Sequence, residues 1–184
     1  MLRFVLCCLL VLLPLSAKAE ETGPVVLTLS GVVDLPNRGP FDPFTDAFAA
    51  RYVDPFEKAH AFTLADLRAL PQESVTLKYP DWEQEVTFTG PSLLSVLKAA
   101  GASGEKLEMV ALDGYTAVFK QEMLLGDKTF ILAIEVNRKP LNIGGHGPLW
   151  LAFPPGEAAP AYPGDDDAGL IWALFHIIVS GKAG

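Results

Sequence analysis

"LKYPDWEQEVTFTGPSLLSVLKAAG", residues 77–101, decides the fold. It reads as the end of one strand, an aromatic-rich turn, a second strand, and a helix opened by Gly90 and Pro91. The expected strands are 74–79 and 85–89. The expected helix, 92–100, carries Leu93, Leu94 and Leu97 on one face, with Gly101 in the stop position just past it. The turn between the strands holds Tyr79, Asp81 and Trp82, and no nucleophile or metal ligand. Two large rings and a carboxylate at a strand end raise the question of what they bind.

Upstream, "VVLTLSGVV" from Val25 begins with a short alternating strand. A stretch at 34–60, dense in Pro, Asp and Phe, follows as a long ordered excursion with a brief helical patch at 45–52. "FTLADLRALP" reads as a short helix capped by Thr63, with Asp66 three residues on. Downstream, "LEMVALDGYTAVF" is a hairpin around Asp113-Gly114. Residues 121–125 are one helical turn, and "FILAIEV" is a buried strand that "NRKPL" turns toward the glycine-rich "NIGGHGPLWLAFP". "LIWALFHIIVS" closes the chain as a central strand. Strands and short helices without regular alternation imply an α+β fold with a mixed sheet.

The first 19 residues carry one Arg, an apolar run at 4–13, Pro14 and the small-residue pattern Ala17-Lys18-Ala19. They read as a cleavable secretory signal, and the run is shorter than the roughly 20 residues of a spanning helix. Cys7 and Cys8 lie inside that run, and neither follows a small residue, so a lipid anchor is not expected there. The expected location is therefore the bacterial periplasm, without membrane insertion. Residues 20–184 read as one domain, 184 − 19 residues long, which is enough for a real core. They contain no cysteine, so neither a thiolate nor a disulfide is available to them. Arg3 and Lys18 leave with the signal, so 14 − 2 basic residues face 22 acidic ones. Such a balance disfavours nucleic acid as a partner.

Catalytic signatures are missing. No Gly-x-Ser-x-Gly elbow, phosphate-binding glycine loop or helical histidine pair occurs. His60, His146 and His176 are far apart in sequence, and His176, inside an apolar strand, reads as a core histidine. His146 in "GGHGP" lies on a loop, where site residues concentrate. Asp165, Asp166 and Asp167 lack calcium-loop spacing and read as a solvated loop. Trp82 in a polar turn and Trp150 straight after a flexible loop suit either a core rim or the face of a flat, amide-bearing heterocycle.

"FTGPSLLSVLKAAGASGEKLEMVALDGYTAVF" (88–119), "ILAIEVNRKPL" (131–141) and "GPLWLAFP" (147–154) together resemble the molybdopterin-binding domain of the sulfite oxidase family, including its small stand-alone periplasmic members. The resemblance spans roughly 62–179 and implies that family's fold. It also implies a molybdenum-ligand cysteine just before Phe88-Thr89-Gly90, where this chain has Lys78-Tyr79-Pro80-Asp81-Trp82. The enzymes' basic residue after the Gly-Pro block is here Trp150, and an arginine expected around Gly169 is missing. A phosphate-bearing molybdopterin would find little to hold it, so no prosthetic group is expected.

What remains resembles the non-enzymatic branch of the fold, whose members bind free pterins and report to a membrane-bound signalling partner. The resemblance implies a pterin ligand and a periplasmic sensor region as partner, for example that of a cyclic-dinucleotide enzyme. Asp81, Asp113 or Glu135 would pair with the pterin's amino-oxo edge, and Trp82, Tyr115 and Trp150 would stack on its face, with Tyr79 and His146 alongside. No catalytic or metal residue is expected. The alternatives are a molybdopterin-dependent oxidoreductase and a ligand-free interaction module of the same fold.

Overall fold

The structure, a computed structural model, describes residues 23–124, 130–155 and 170–181. The expected signal (1–19), the Asp165–Asp167 loop and the neighbourhood of Gly169 lie outside them. The described residues form eleven strands, two α-helices and two 3₁₀ turns, in chain order β1 (Val25–Gly31), a 3₁₀ turn (Ala49–Arg51), β2 (Ala59–Thr63), α1 (Leu64–Ala69), β3 (Gln72–Leu77), β4 (Val86–Pro91) and α2 (Leu93–Ala100). Then come β5 (Lys106–Ala111), β6 (Thr116–Lys120), a 3₁₀ turn (Gln121–Leu124), β7 (Ile131–Ala133), β8 (Glu135–Val136), β9 (Lys139–Pro140), β10 (Trp150–Ala152) and β11 (Leu174–Ser180). The α+β class is as expected, but the strands form three sheets rather than one. They are ordered β2-β1-β11-β5-β6, β10-β7 and β3-β4-β8-β9. No helix among the described residues is long and apolar enough to cross a membrane.

Local chemistry explains most of the elements. Thr63 and Asp66 form a full capping box on α1, each side chain accepting the other's backbone N–H. Ser92 caps α2, and Gly101 ends it in the left-handed region at φ 63°. The 45–52 patch reduces to its single 3₁₀ turn. "FILAIEV" is not one strand: it breaks at Ile134, where the chain changes partners. β7 pairs with β10, while β8 pairs with β4 and β9. The Ile134 N–H donates to the Thr89 carbonyl at that break. β11 begins at Leu174 rather than Leu170, because Ala173 takes φ 54°, which no strand residue adopts.

β4 crosses β7 very closely. A Cβ on Gly90 would stand 2.1 Å from the Leu132 carbonyl oxygen, so a side chain cannot be fitted without moving backbone. Gly90→Ala is expected to lower the urea midpoint, by about 1–3 kcal/mol of stability as in an overpacked core. An unchanged midpoint would mean the two strands can separate without cost.

The five-stranded sheet has two unlike faces. Leu27, Leu29, Leu107, Met109, Phe119, Ile177 and Val179 join the helix residues Leu93, Val96 and Leu97 in the main core. The opposite face carries Thr28, Ser30 and His176, three of the four buried polar residues among those described. The 34–60 excursion covers that face. Its ends are tied together by paired backbone bonds between Arg38 and Ala59, and by the Asn37 side chain on Ala61. Arg38 forms an ion pair with Asp46 and lies 5.1 Å over the Phe56 ring, which in turn rests on His176.

His176 is 1% exposed, with Nε2 2.8 Å from Ser30 Oγ. It is the core histidine expected from sequence. Burial, and then the Arg38 cation, push its pKa down to about 4, against a smaller opposite pull from Asp46. The unfolded chain, with histidine near 6.5, takes up the proton first, so this contribution is intact above pH 6.5 and is lost as pH falls toward 4. The loss amounts to about 3 kcal/mol at most. Asp66, held low by the Thr63 side chain and backbone, adds a further loss only below its usual value of 3.8. His176→Gln, which retains a partner for Ser30, is expected to flatten the melting temperature between pH 6.5 and 4. An equally steep profile in that variant would place the acid sensitivity elsewhere.

A candidate aromatic site at the second core

Pro80 presets the first central position of a turn that the Trp82 N–H closes on the Tyr79 carbonyl at 3.0 Å. That turn folds back over a second, smaller core made of Leu77, Tyr79, Phe88, Ile131, Ala133 and Ala152. Strand alternation sorts β4. Phe88 faces this core, while Thr87 and Thr89 face outward and pair with Thr76 and Ser74 at 2.9 Å. Trp82, half-buried, lies 4.9 Å from the Tyr79 ring, 5.9 Å from Phe88 and 6.3 Å from Trp150. Trp150 stands edge-on to Phe88 at 5.1 Å. His146 lies tilted by 30° against Trp150 at 4.5 Å and meets Trp172 edge-on at 5.7 Å.

The fold therefore brings Tyr79, Trp82, His146 and Trp150 into one ring cluster, with Asp81 exposed in the same turn. Tyr79 is only 1% exposed, and its hydroxyl donates to the Phe153 carbonyl, so it builds the floor rather than a contact surface. Trp150 Nε1 is buried with no acceptor among the described residues. An unmet buried donor costs about 1–3 kcal/mol, so an acceptor brought to that edge would be favoured.

The remaining expected site residues stand elsewhere. Glu135 is on the Thr89 side of its sheet, opposite the Phe88 face, with Arg68 at 3.9 Å. Asp113 accepts the Tyr115 N–H at 2.9 Å in the β5–β6 turn, and both residues are exposed on the five-stranded sheet. The two regions meet through Ala173. Its carbonyl accepts the Leu112 N–H and its own N–H donates to the His146 carbonyl. Sequence reasoning missed Trp172, 41% exposed, because it sits inside what reads as a strand. The missing signal is the left-handed Ala173 that delays the start of the strand to Leu174.

The turn's donor set is a phenol engaged with a backbone carbonyl, an exposed carboxylate and an indole. It does not fit a molybdenum site that needs a thiolate. No group of three or more His, Cys, Asp or Glu able to hold a metal occurs among the described residues.

No family model matches the chain, and no curated protein matches it in sequence. Among solved structures it is similar to the sulfane dehydrogenase SoxCD from Paracoccus pantotrophus, with a TM-score of 0.55 at 17% identity. The similarity covers 85% of this chain and 38% of that one. The likeness is one of fold, and it supports the fold family that the sequence blocks imply.

Tyr79→Phe is expected to leave the Phe153 carbonyl without its buried donor and to lower stability by about 1–3 kcal/mol, read by urea unfolding. A wild-type midpoint would mean that another group takes the hydroxyl's place.

Proposed function

We propose that this chain is a non-enzymatic periplasmic pterin-binding protein that relays its ligand state to a membrane-bound signalling partner. The supporting observation is the cluster itself. Half-buried Trp82 stands in the turn that the resemblance matches to the enzymes' metal-ligand loop, and Trp150 beside it keeps a buried N–H without an acceptor among the described residues. A pterin is flat and carries an oxo acceptor beside amino and ring N–H donors. Its face suits Trp82, its oxo group suits Trp150 Nε1, and its donor edge suits a carboxylate. Of the three candidate carboxylates only Asp81 shares the Trp82 turn, so it takes the donor edge.

A second reading is favoured by one comparison. The solved structure of similar fold is a sulfane dehydrogenase, which keeps an oxidoreductase as the alternative despite the unsuitable donor set. Protein purified from the periplasm separates the two: bound fluorescent pterin without molybdenum supports binding alone, and stoichiometric molybdenum overturns it. If neither is found, and free pterin neither binds nor raises the melting temperature, a ligand-free interaction module remains.

Aromatic stacking contributes about 0.5–1.5 kcal/mol beyond area burial. With the lost area included, Trp82→Ala is expected to weaken pterin binding about tenfold, or about 1.4 kcal/mol. Asp81→Asn should weaken it as well, by presenting a donor where an acceptor is needed. Asp113→Asn should leave it unchanged, since an amide oxygen still accepts the Tyr115 N–H. Titration of pterin fluorescence reads all three, and an unchanged dissociation constant in folded Trp82→Ala removes Trp82 from the site.

A further inference from the structure

The 34–60 excursion is the least explained part of the chain, and it does not lie flat on the sheet. Beneath residues 52–58 a cavity of about 480 Å³ opens, and a smaller one of about 240 Å³ lies on the other side of Phe56. The larger is within the size range of small-molecule sites. Its floor is a cross-strand row, since Ser30 pairs with Ile178 and Ile178 with Glu108. Its roof and walls include Tyr52, Phe56 and Glu57. The roof is held at both ends. The Arg38–Ala59 pairing closes one, and the Tyr52 ring packs over Gly114 at the other, where a Cβ would stand 2.7 Å from Cε1.

Two features distinguish this space from incomplete packing. The sheet face below it is part polar, with buried Ser30 in one row with Ile178 and Glu108. The Glu108 side chain, half-buried on β5, has no hydrogen bond or ion pair with a described residue and lines the cavity floor. The lining carries Asp54, Glu57 and Glu108 against Lys58 alone, a net of −2. Carboxylates beside the part-exposed Tyr52 ring suit a cation with a carbon skeleton, through charge pairing and ring contact together.

We propose that this cavity is a binding site for a small organic ammonium ion, with Glu108 as the floor contact and the Tyr52 ring against the carbon skeleton. The site is separate from the aromatic cluster and does not depend on pterin binding.

Calorimetric titration of the full chain with 1,4-diaminobutane tests it, with glutarate as the anionic counterpart. Saturable one-to-one binding of the diamine and none of glutarate is expected. Glu108→Gln should weaken diamine binding at least tenfold, Glu57→Gln less, and Trp82→Ala not at all. Should Glu108→Gln fail to fold, the exposed Glu57→Gln gives the reading. No saturable heat from the diamine overturns the proposal, and so does wild-type affinity in the folded glutamate variants, which would mark general attraction to an acidic surface. Lost diamine binding in Trp82→Ala would overturn the separateness of the two sites.

Discussion

The close crossing of β4 over β7 at Gly90 is the constraint on which the candidate site depends. Because no Cβ intervenes, β4 can pair with β3 and β8 while lying against β7, and β7 can pair with β10. That arrangement puts Phe88, Ala133 and Ala152 into one small core, although they come from three separate strands. The turn that leads into β4 then falls beside the first residue of β10. Trp82 and Trp150 meet because the backbones beneath them do.

The opposite half of the molecule is governed by a different physical problem. A five-stranded sheet needs one apolar face, and its alternation places Leu27, Leu29, Ile177 and Val179 there. The other face inherits Thr28, Ser30 and His176, and the excursion then removes them from water. Burial of polar groups is tolerated when they are hydrogen-bonded, and the Ser30–His176 pair and the Arg38 contact to Thr28 meet that need. The cost appears as acid sensitivity, since a neutral buried histidine leaves the unfolded chain the better base. Phe56, in contact with both the histidine and the Arg38 guanidinium, seats the cover on the sheet and lines both cavities beneath it.

The amino-acid sequence makes the candidate site partly legible. Large rings in a polar turn and directly after a glycine-rich loop are out of place chemically, and this singles out Trp82 and Trp150. Their neighbours cannot be ranked the same way. Asp81, Asp113 and Glu135 look alike as carboxylates near strand ends. Glu135 faces away because β8 is in register with β4, pairing Thr89 with Glu135 and Phe88 with Val136. Asp113 stands on another sheet, its carboxylate engaged by its own turn. Tyr79 resembles a stacking ring in sequence and is a floor residue in the fold, since its hydroxyl reaches a carbonyl 74 positions away.

The sequence alone determined what depends on neighbours along the chain. Thr63 and Asp66 cap α1, Ser92 and Gly101 bound α2, Asp113 shapes the β5–β6 turn, and the alternation of β1 and β4 sorts each strand's faces. These follow from local hydrogen bonding and from the strand period of two, which operate over a few residues. The three-sheet division, the break at Ile134, the late start of β11 after Ala173 and the gathering of Trp82, Trp150, His146 and Trp172 were decided only in the tertiary structure. Each depends on which distant strand supplies the partner for a backbone N–H or carbonyl, and on whether a Cβ has room at the crossing. Those are properties of packing between segments, with no periodicity along the chain to reveal them.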